Sequence, residues 1–138
     1  MSKFMLIQHV APKGVQSPEE IQDIMVKIRA WREPLVAAGK LIGGEKLADE
    51  GGKIISAQNG RVAVVDGPYT ETKEIVGGFA LIEAEDYAEA IELVRNSPGL
   101  RLGSIAIRQV DPMGCGSAYE EHGLEEVAET EDQGSLVS

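Results

Sequence analysis

The sequence predicts an α+β sandwich in which two helices cover one face of an antiparallel sheet. Three observations lead there. Short segments at both ends of residues 1–112 read as strands. Two longer segments carry helical spacing behind capping residues. Between the helices, Asn59-Gly60 separates two β-branched runs, the strongest short-range hairpin signal. With 138 residues the chain is one domain by length. Hydrophobic residues make up 43% and aromatics 4%, so aliphatic side chains must build the core.

Each element follows from its own residues. Lys3 to Val10 is a strand with Phe4, Leu6 and Val10 assigned to one face and Met5, Ile7 and His9 to the other. Ser17-Pro18-Glu19-Glu20 starts a helix: Ser17 caps, Pro18 suits the first helical position and Glu20 completes a capping box. Ile21, Ile24, Met25, Ile28, Trp31 and Leu35 form its apolar stripe, Pro34 should bend or break it, and Gly39 ends it. Leu41 to Leu47 is extended, and Lys53 to Gln58 pairs with Arg61 to Val65 across Asn59-Gly60. Phe79 to Ala84 is a strand entered through Gly77-Gly78. Asp86 caps a second helix with a buried face of Tyr87, Ala90, Ile91 and Val94, and Asn96 to Gly99 ends it. Ser104 to Val110 is the last strand. The order is that of a ferredoxin-like βαββαβ sandwich with an inserted hairpin. The first strand is apolar on both sides and the helices cover one, so a second copy of the sheet is the expected other cover, in a homodimer. Residues 113–138 lack apolar periodicity and read as a mostly mobile acidic tail.

Composition removes several function classes. Net charge is -10, and much of it lies beyond Tyr119, where acids occur without lysine or arginine. That tail opposes nucleic-acid backbones and anionic membranes. The single cysteine, Cys115, permits no internal disulfide and fits the cytoplasm. The opening is too short and alternating for a signal peptide, and no run approaches a membrane span. No His/Asp/Glu cluster has metal-ligand spacing and no glycine run has phosphate-loop spacing, so neither metal nor cofactor is expected.

Chemistry concentrates between Val64 and Ala84. Asp66 ends a strand before Gly67-Pro68. It reads either as a turn-making carboxylate or as a general base at a pocket wall. Glu71, Lys73 and Glu74 read as a solvated charge run, or with Glu74 turned inward to pair with Asp66 for proton shuttling. Gly77-Gly78 marks a bulge or a close approach of backbone or ligand. His9 is a core histidine or, since the other histidine is His122 in the tail, the carrier of any imidazole chemistry. Trp31 is core or cavity lining, and Arg108 binds an anion or pairs with a carboxylate of a second copy.

Asp66-Gly67-Pro68-Tyr69, followed by Glu71, Lys73, Glu74 and Gly77-Gly78, resembles the DGPF branch of the YCII-related family, with Tyr69 in place of the usual phenylalanine. Gly44-Glu45-Lys46-Leu47, Glu89-Ala90 and Gly103-Ser104-Ile105 extend the likeness over about Phe4 to Pro112. The resemblance implies a dimeric α/β barrel from a bacterial source. Better-known relatives resemble lyases or isomerases thought to use a His–Asp pair, and some relatives occur beside or fused to sigma factors. Their histidine lies in the first helix, where Met25 to Trp31 has none. Two functions follow as expectations. One is a cofactor-free acid–base enzyme on a small molecule, with Asp66, Glu74 and His9 moving protons and Lys73, Tyr69, Arg108 and Trp31 holding substrate. The other is a non-catalytic dimeric binding module with a protein partner in transcription control.

Overall fold

The computed structural model describes residues 1–11, 17–67 and 75–114. In chain order they form β1 (Ser2–Val10), α1 (Pro18–Ala37), β2 (Leu41–Lys46), β3 (Lys53–Gln58), β4 (Arg61–Asp66), β5 (Ile75–Ala84), α2 (Tyr87–Val94), a 3-10 turn (Pro98–Arg101) and β6 (Gly103–Gln109). Four strands make an antiparallel sheet in the order β2-β5-β1-β6, and β3 and β4 pair separately as a two-stranded ribbon. This is the ferredoxin-like α+β architecture, with the ribbon inserted between its second and third strands.

Local chemistry sets the boundaries. Ser17 Oγ accepts from the Glu20 N–H at 3.2 Å while Glu20 Oε1 accepts from the Ser17 N–H at 3.3 Å, a complete capping box. Asp86 Oδ1 accepts from the Glu89 N–H at 2.9 Å to start α2. Gly39, at φ +73, stops α1 in the left-handed conformation that glycine adopts without penalty. Asn59 and Gly60 both have positive φ, 51 and 78, as a two-residue hairpin turn of this hand requires.

Both helices lie on one face of the sheet. Phe4 and Leu6 of β1, Leu41 of β2, Ile82 and Ala84 of β5, and Ala90 and Val94 of α2 form the buried core, with Trp31 and Leu35 of α1 packed against it. Phe4 is fully buried and meets the Tyr87 ring edge-on, centroids 4.9 Å apart. The other face carries Met5 and Ile7 beside their cross-strand partners Leu81 and Phe79, all half-buried. Among the described residues no helix is long and apolar enough to cross a membrane.

Some sequence expectations are corrected. Pro34 does not break α1, which runs on through it to Ala37, because its missing donor removes one bond only three residues from the helix end. Gly77 and Gly78 fall within β5, not before it, since pairing with β1 extends back to Ile75. Ile91 is exposed: the buried stripe of α2 runs through Ala90 and Val94, and Ile91 lies about 100° round the helix from Ala90. Ile21 likewise sits at the exposed margin of the α1 stripe. The acidic tail lies outside the described residues from residue 115 onward.

Asp23 ties α1 to the 3-10 turn. Its carboxylate takes Lys27 Nζ at 3.0 Å and Arg101 Nη1 at 3.4 Å. The Lys27 hydrogen bond, chiefly, holds its pKa below the usual carboxylate value. A depressed folded-state pKa contributes stability above the unfolded pKa and loses it as pH falls through the folded one. Because the pair is exposed, salt should screen it. Asp23→Asn is therefore expected to change the urea midpoint slightly at neutral pH and low salt. The difference from wild type should vanish below the ordinary carboxylate range or at high salt. An equal difference at every pH would refute the ion-pair account.

Candidate functional site

A cavity of about 710 Å³ opens where β1 ends, bounded by His9, residues 47–48 and 50–54, and Ile75 and Val76. Its size suits a small-molecule site. Three structural decisions build it. His9 follows Met5 and Ile7 on the helix-free face and ends that row. The β1–β5 register then shifts: Gln8 pairs with Gly78 and His9 with Val76, leaving Gly77 as the extra residue of a bulge. That slip turns Val76 to the same side as His9, where it becomes cavity wall. A Cβ at Gly77 would lie 2.4 Å from Val10 Cγ2, so glycine at the bulge leaves that valine side chain in place.

The second wall is the root of the hairpin. Counting outward from Asn59-Gly60 brings Lys53 opposite Asp66 at the open end of the ribbon. Lys53 Nζ is hydrogen-bonded to Asp66 Oδ1. Both side chains are largely exposed, 72% and 82%. Lys53 and Ile54 line the cavity, and Asp66 meets it through Lys53. The adjoining Gly67 N–H donates to Gly52 O at 3.0 Å. A Cβ at Gly67 would lie 2.7 Å from Gly51 O, so the Asp66-Gly67 corner is packed closely against the loop that rims the cavity. Glu50 and Lys53 are the charged residues that border the cavity with His9, together with Leu47, Ile54, Ile75 and Val76. Lys53 and Asp66 stand on the ribbon face of Ile55 and Val64, the opposite face to Ile54. A positioned imidazole beside such a charged rim can move a proton and balance charge on a bound molecule.

The sequence-derived candidates separate. His9 and Asp66 belong to this corner. Arg108 is exposed on β6 opposite Met5, whereas His9 stands opposite Ser104 at the other end of the same face. Trp31 packs on the core from α1, across the sheet from His9. Tyr69, Lys73 and Glu74 lie outside the described residues. Lys53, Glu50 and Val76 were missed by sequence reasoning. The hairpin count would have found Lys53, since the Asn59-Gly60 turn fixes its register with Asp66. Val76 depends on the bulge, which alternation alone does not announce. Among the described residues no group of His, Cys, Asp and Glu side chains is arranged to hold a metal ion.

An uncharacterised protein, R00369, from Rhizobium meliloti (strain 1021) is 33% identical over 81 residues. The aligned region covers 58% of this chain and 65% of that protein's length. Among solved structures, 5-chloro-2-hydroxyhydroquinone dehydrochlorinase from Burkholderia phenoliruptrix AC1100, in complex with 2,5-dihydroxybenzoquinone, is 21% identical. The match covers 79% of this chain and 93% of that one, with a TM-score of 0.47. The model of the YCII-related domain matches residues 2–114, and the chain belongs to the YCII-related domain family.

Proposed function

We propose that this chain is a homodimeric small-molecule-binding protein whose cavity beside His9 performs cofactor-free acid–base chemistry of lyase or isomerase type. The observation that carries the reading is convergence. His9, Glu50 and Lys53, the last tied to Asp66, meet at one cavity with an otherwise apolar lining. In this scheme His9 moves the proton and Lys53 faces developing negative charge. Asp66 holds the lysine, or serves as the base where substrate displaces that contact. Glu74 and Lys73 are the nearest further candidates by sequence, with Tyr69, Trp31 and Arg108 as binding groups.

The dimer is supported by two apolar surfaces that no described helix covers. The helix-free face offers Met5, Ile7, Phe79 and Leu81. The ribbon exposes Ile55, Val62 and Val64, at 71%, 67% and 60%, on one side. A lone two-stranded ribbon is marginal in water, so a cover for that side stabilises it. A rotation about an axis parallel to the strands would set the β6 edge of one sheet, with Arg108, over the β2 edge of the other, with Glu45. The cytoplasm is the proposed location, in keeping with the single cysteine.

A second reading has its own support: the exposed Lys53–Asp66 pair is also what a structural brace looks like. On that reading the protein is a non-catalytic binding module, with a partner in transcription control. Thermal-shift titration of small-metabolite pools against wild type, His9→Asn and Lys53→Met separates the two. The enzyme reading expects a ligand that raises the melting temperature of wild type and loses at least most of that shift in both variants. A pool component stabilising all three equally would remove the site from this cavity. Light scattering at micromolar protein tests the dimer in the same samples, and a monomer there would refute it.

A further inference from the structure

Gln8 breaks the pattern of its own row. Phe4 and Leu6, the preceding residues on the helix-covered face, are apolar and buried. The third position is a carboxamide, and a polar group there is retained at a cost unless it is fully bonded. Gln8 Nε2, with two hydrogens, lies within hydrogen-bond reach of three carbonyls, Gly99 O at 3.0 Å in the 3-10 turn, His9 O at 3.0 Å and Ser104 O at 3.3 Å on β6, so that one N–H is shared between two of them. Ser104 is the cross-strand partner of His9. One carboxamide therefore fastens the carbonyl of His9, the carbonyl of the residue opposite it, and the turn that leads into β6.

The surroundings are shaped for this contact. A Cβ at Gly99 would lie 2.3 Å from Gln8 Oε1, so glycine leaves the room that the carboxamide fills. On the opposite flank, β1 loses regular pairing with β5 between Gln8 and His9 because of the Gly77 bulge. The backbone at His9 thus follows a register shift on one side, where it pairs with Val76, and is tied by the carboxamide on the other. Side chains alternate along a strand, so Gln8 faces the helices while His9 faces the cavity, and the carboxamide acts on the imidazole only through the backbone.

We propose that Gln8 is the positioning residue of the site, setting the direction in which His9 enters the cavity. The proposal rests on the reading of His9 as the working imidazole, and its experiment reads the histidine directly. Imidazole resonances of the full chain are followed by NMR against pH. Only His9 and His122 contribute, and His9→Asn assigns them. Gln8→Met keeps the length and removes the donor. Gly99→Ala keeps the donor and pushes the carboxamide aside. Among the described residues, Glu50 and Lys53 are the charged groups lining the cavity with His9, so a redirected ring meets a different field.

The expected result is a displaced His9 ring signal in both variants, with the His122 signal unmoved and distant backbone amides unchanged. His9 signals that coincide with wild type in either folded variant would overturn the proposal. Loss of the fold in both would also overturn it, because Gln8 would then be a brace of the whole domain. If one fails to fold, the other decides. A His9→Asn protein that keeps full ligand-induced stabilisation would instead sink the functional reading, while the ring signals would still decide whether Gln8 positions His9.

Discussion

Phe4→Ala is expected to destabilise the fold by about 3–5 kcal/mol, the range for truncating a buried phenylalanine. Phe4 has no exposed surface and stands at the centre of the cluster formed by Leu6, Leu41, Ile82, Ala84, Ala90 and Val94. Its ring also supports Tyr87, whose hydroxyl accepts the Gln109 N–H at 2.8 Å. Removing the ring leaves a cavity between α2 and the sheet and loosens the contact between α2 and the end of β6. Against a typical total of about 5–15 kcal/mol, that loss is a large share. Urea unfolding followed by circular dichroism should show the midpoint fall sharply. Phe4→Leu, which keeps much of the volume, should cost roughly 1.5 kcal/mol or less. A small loss for the alanine variant would mean that the helices do not pack on this face as described. Met5→Ala is the informative companion. Met5 is half-buried in one chain, so its cost should be small at low protein concentration and grow with concentration if a second copy covers that face.

Legibility in the sequence divides along one physical line. Features set by local rules were readable: the Ser17 capping box, the Asp86 cap, the Gly39 stop and the Asn59-Gly60 turn all form as their residues dictate. Their order alone was enough to give the ferredoxin-like sandwich. Features set by how strands meet were not. Gly77-Gly78 reads as a strand entrance until β1 is placed beside it, and only then does the register slip expose Val76 to the cavity. Gln8 is similar. Its type is unremarkable for a strand, and its importance comes from Gly99 and Ser104, more than ninety residues along the chain. Ile91 shows the opposite error. Helical spacing marked it as apolar face, but a helix of this length buries only a narrow stripe against two strands. For the site, sequence reasoning selected His9 and Asp66 and missed Lys53, although the hairpin count already placed that lysine beside the aspartate.

The glycine at the start of β6 carries the second large effect. Gly103 pairs with Val10, and a Cβ there would lie 2.1 Å from His9 O, 3.0 Å from His9 C and 3.1 Å from Ala11 N. All three are backbone atoms, so no side-chain rotation can relieve the overlap. Gly103→Ala must part β1 from β6 at the end where His9 sits, weakening the Ala11 N–H bond to Leu102 O and the Gln8 contact to Ser104 O. The expected loss is about 3 kcal/mol, the upper end of what overpacking costs. It should be accompanied by faster hydrogen exchange at residues 9–11 and 102–104 than elsewhere in the sheet. Gly43→Ala is the matched control. Nothing lies within 4 Å of its Cβ position and its backbone needs no positive φ, so its effect should stay within about 0.5 kcal/mol. Equal losses in the two variants would show that a general intolerance of alanine in edge strands, and not contact with the His9 carbonyl, sets the cost. A large loss at Gly103 alone would tie the stability of β6 to the corner that carries the site.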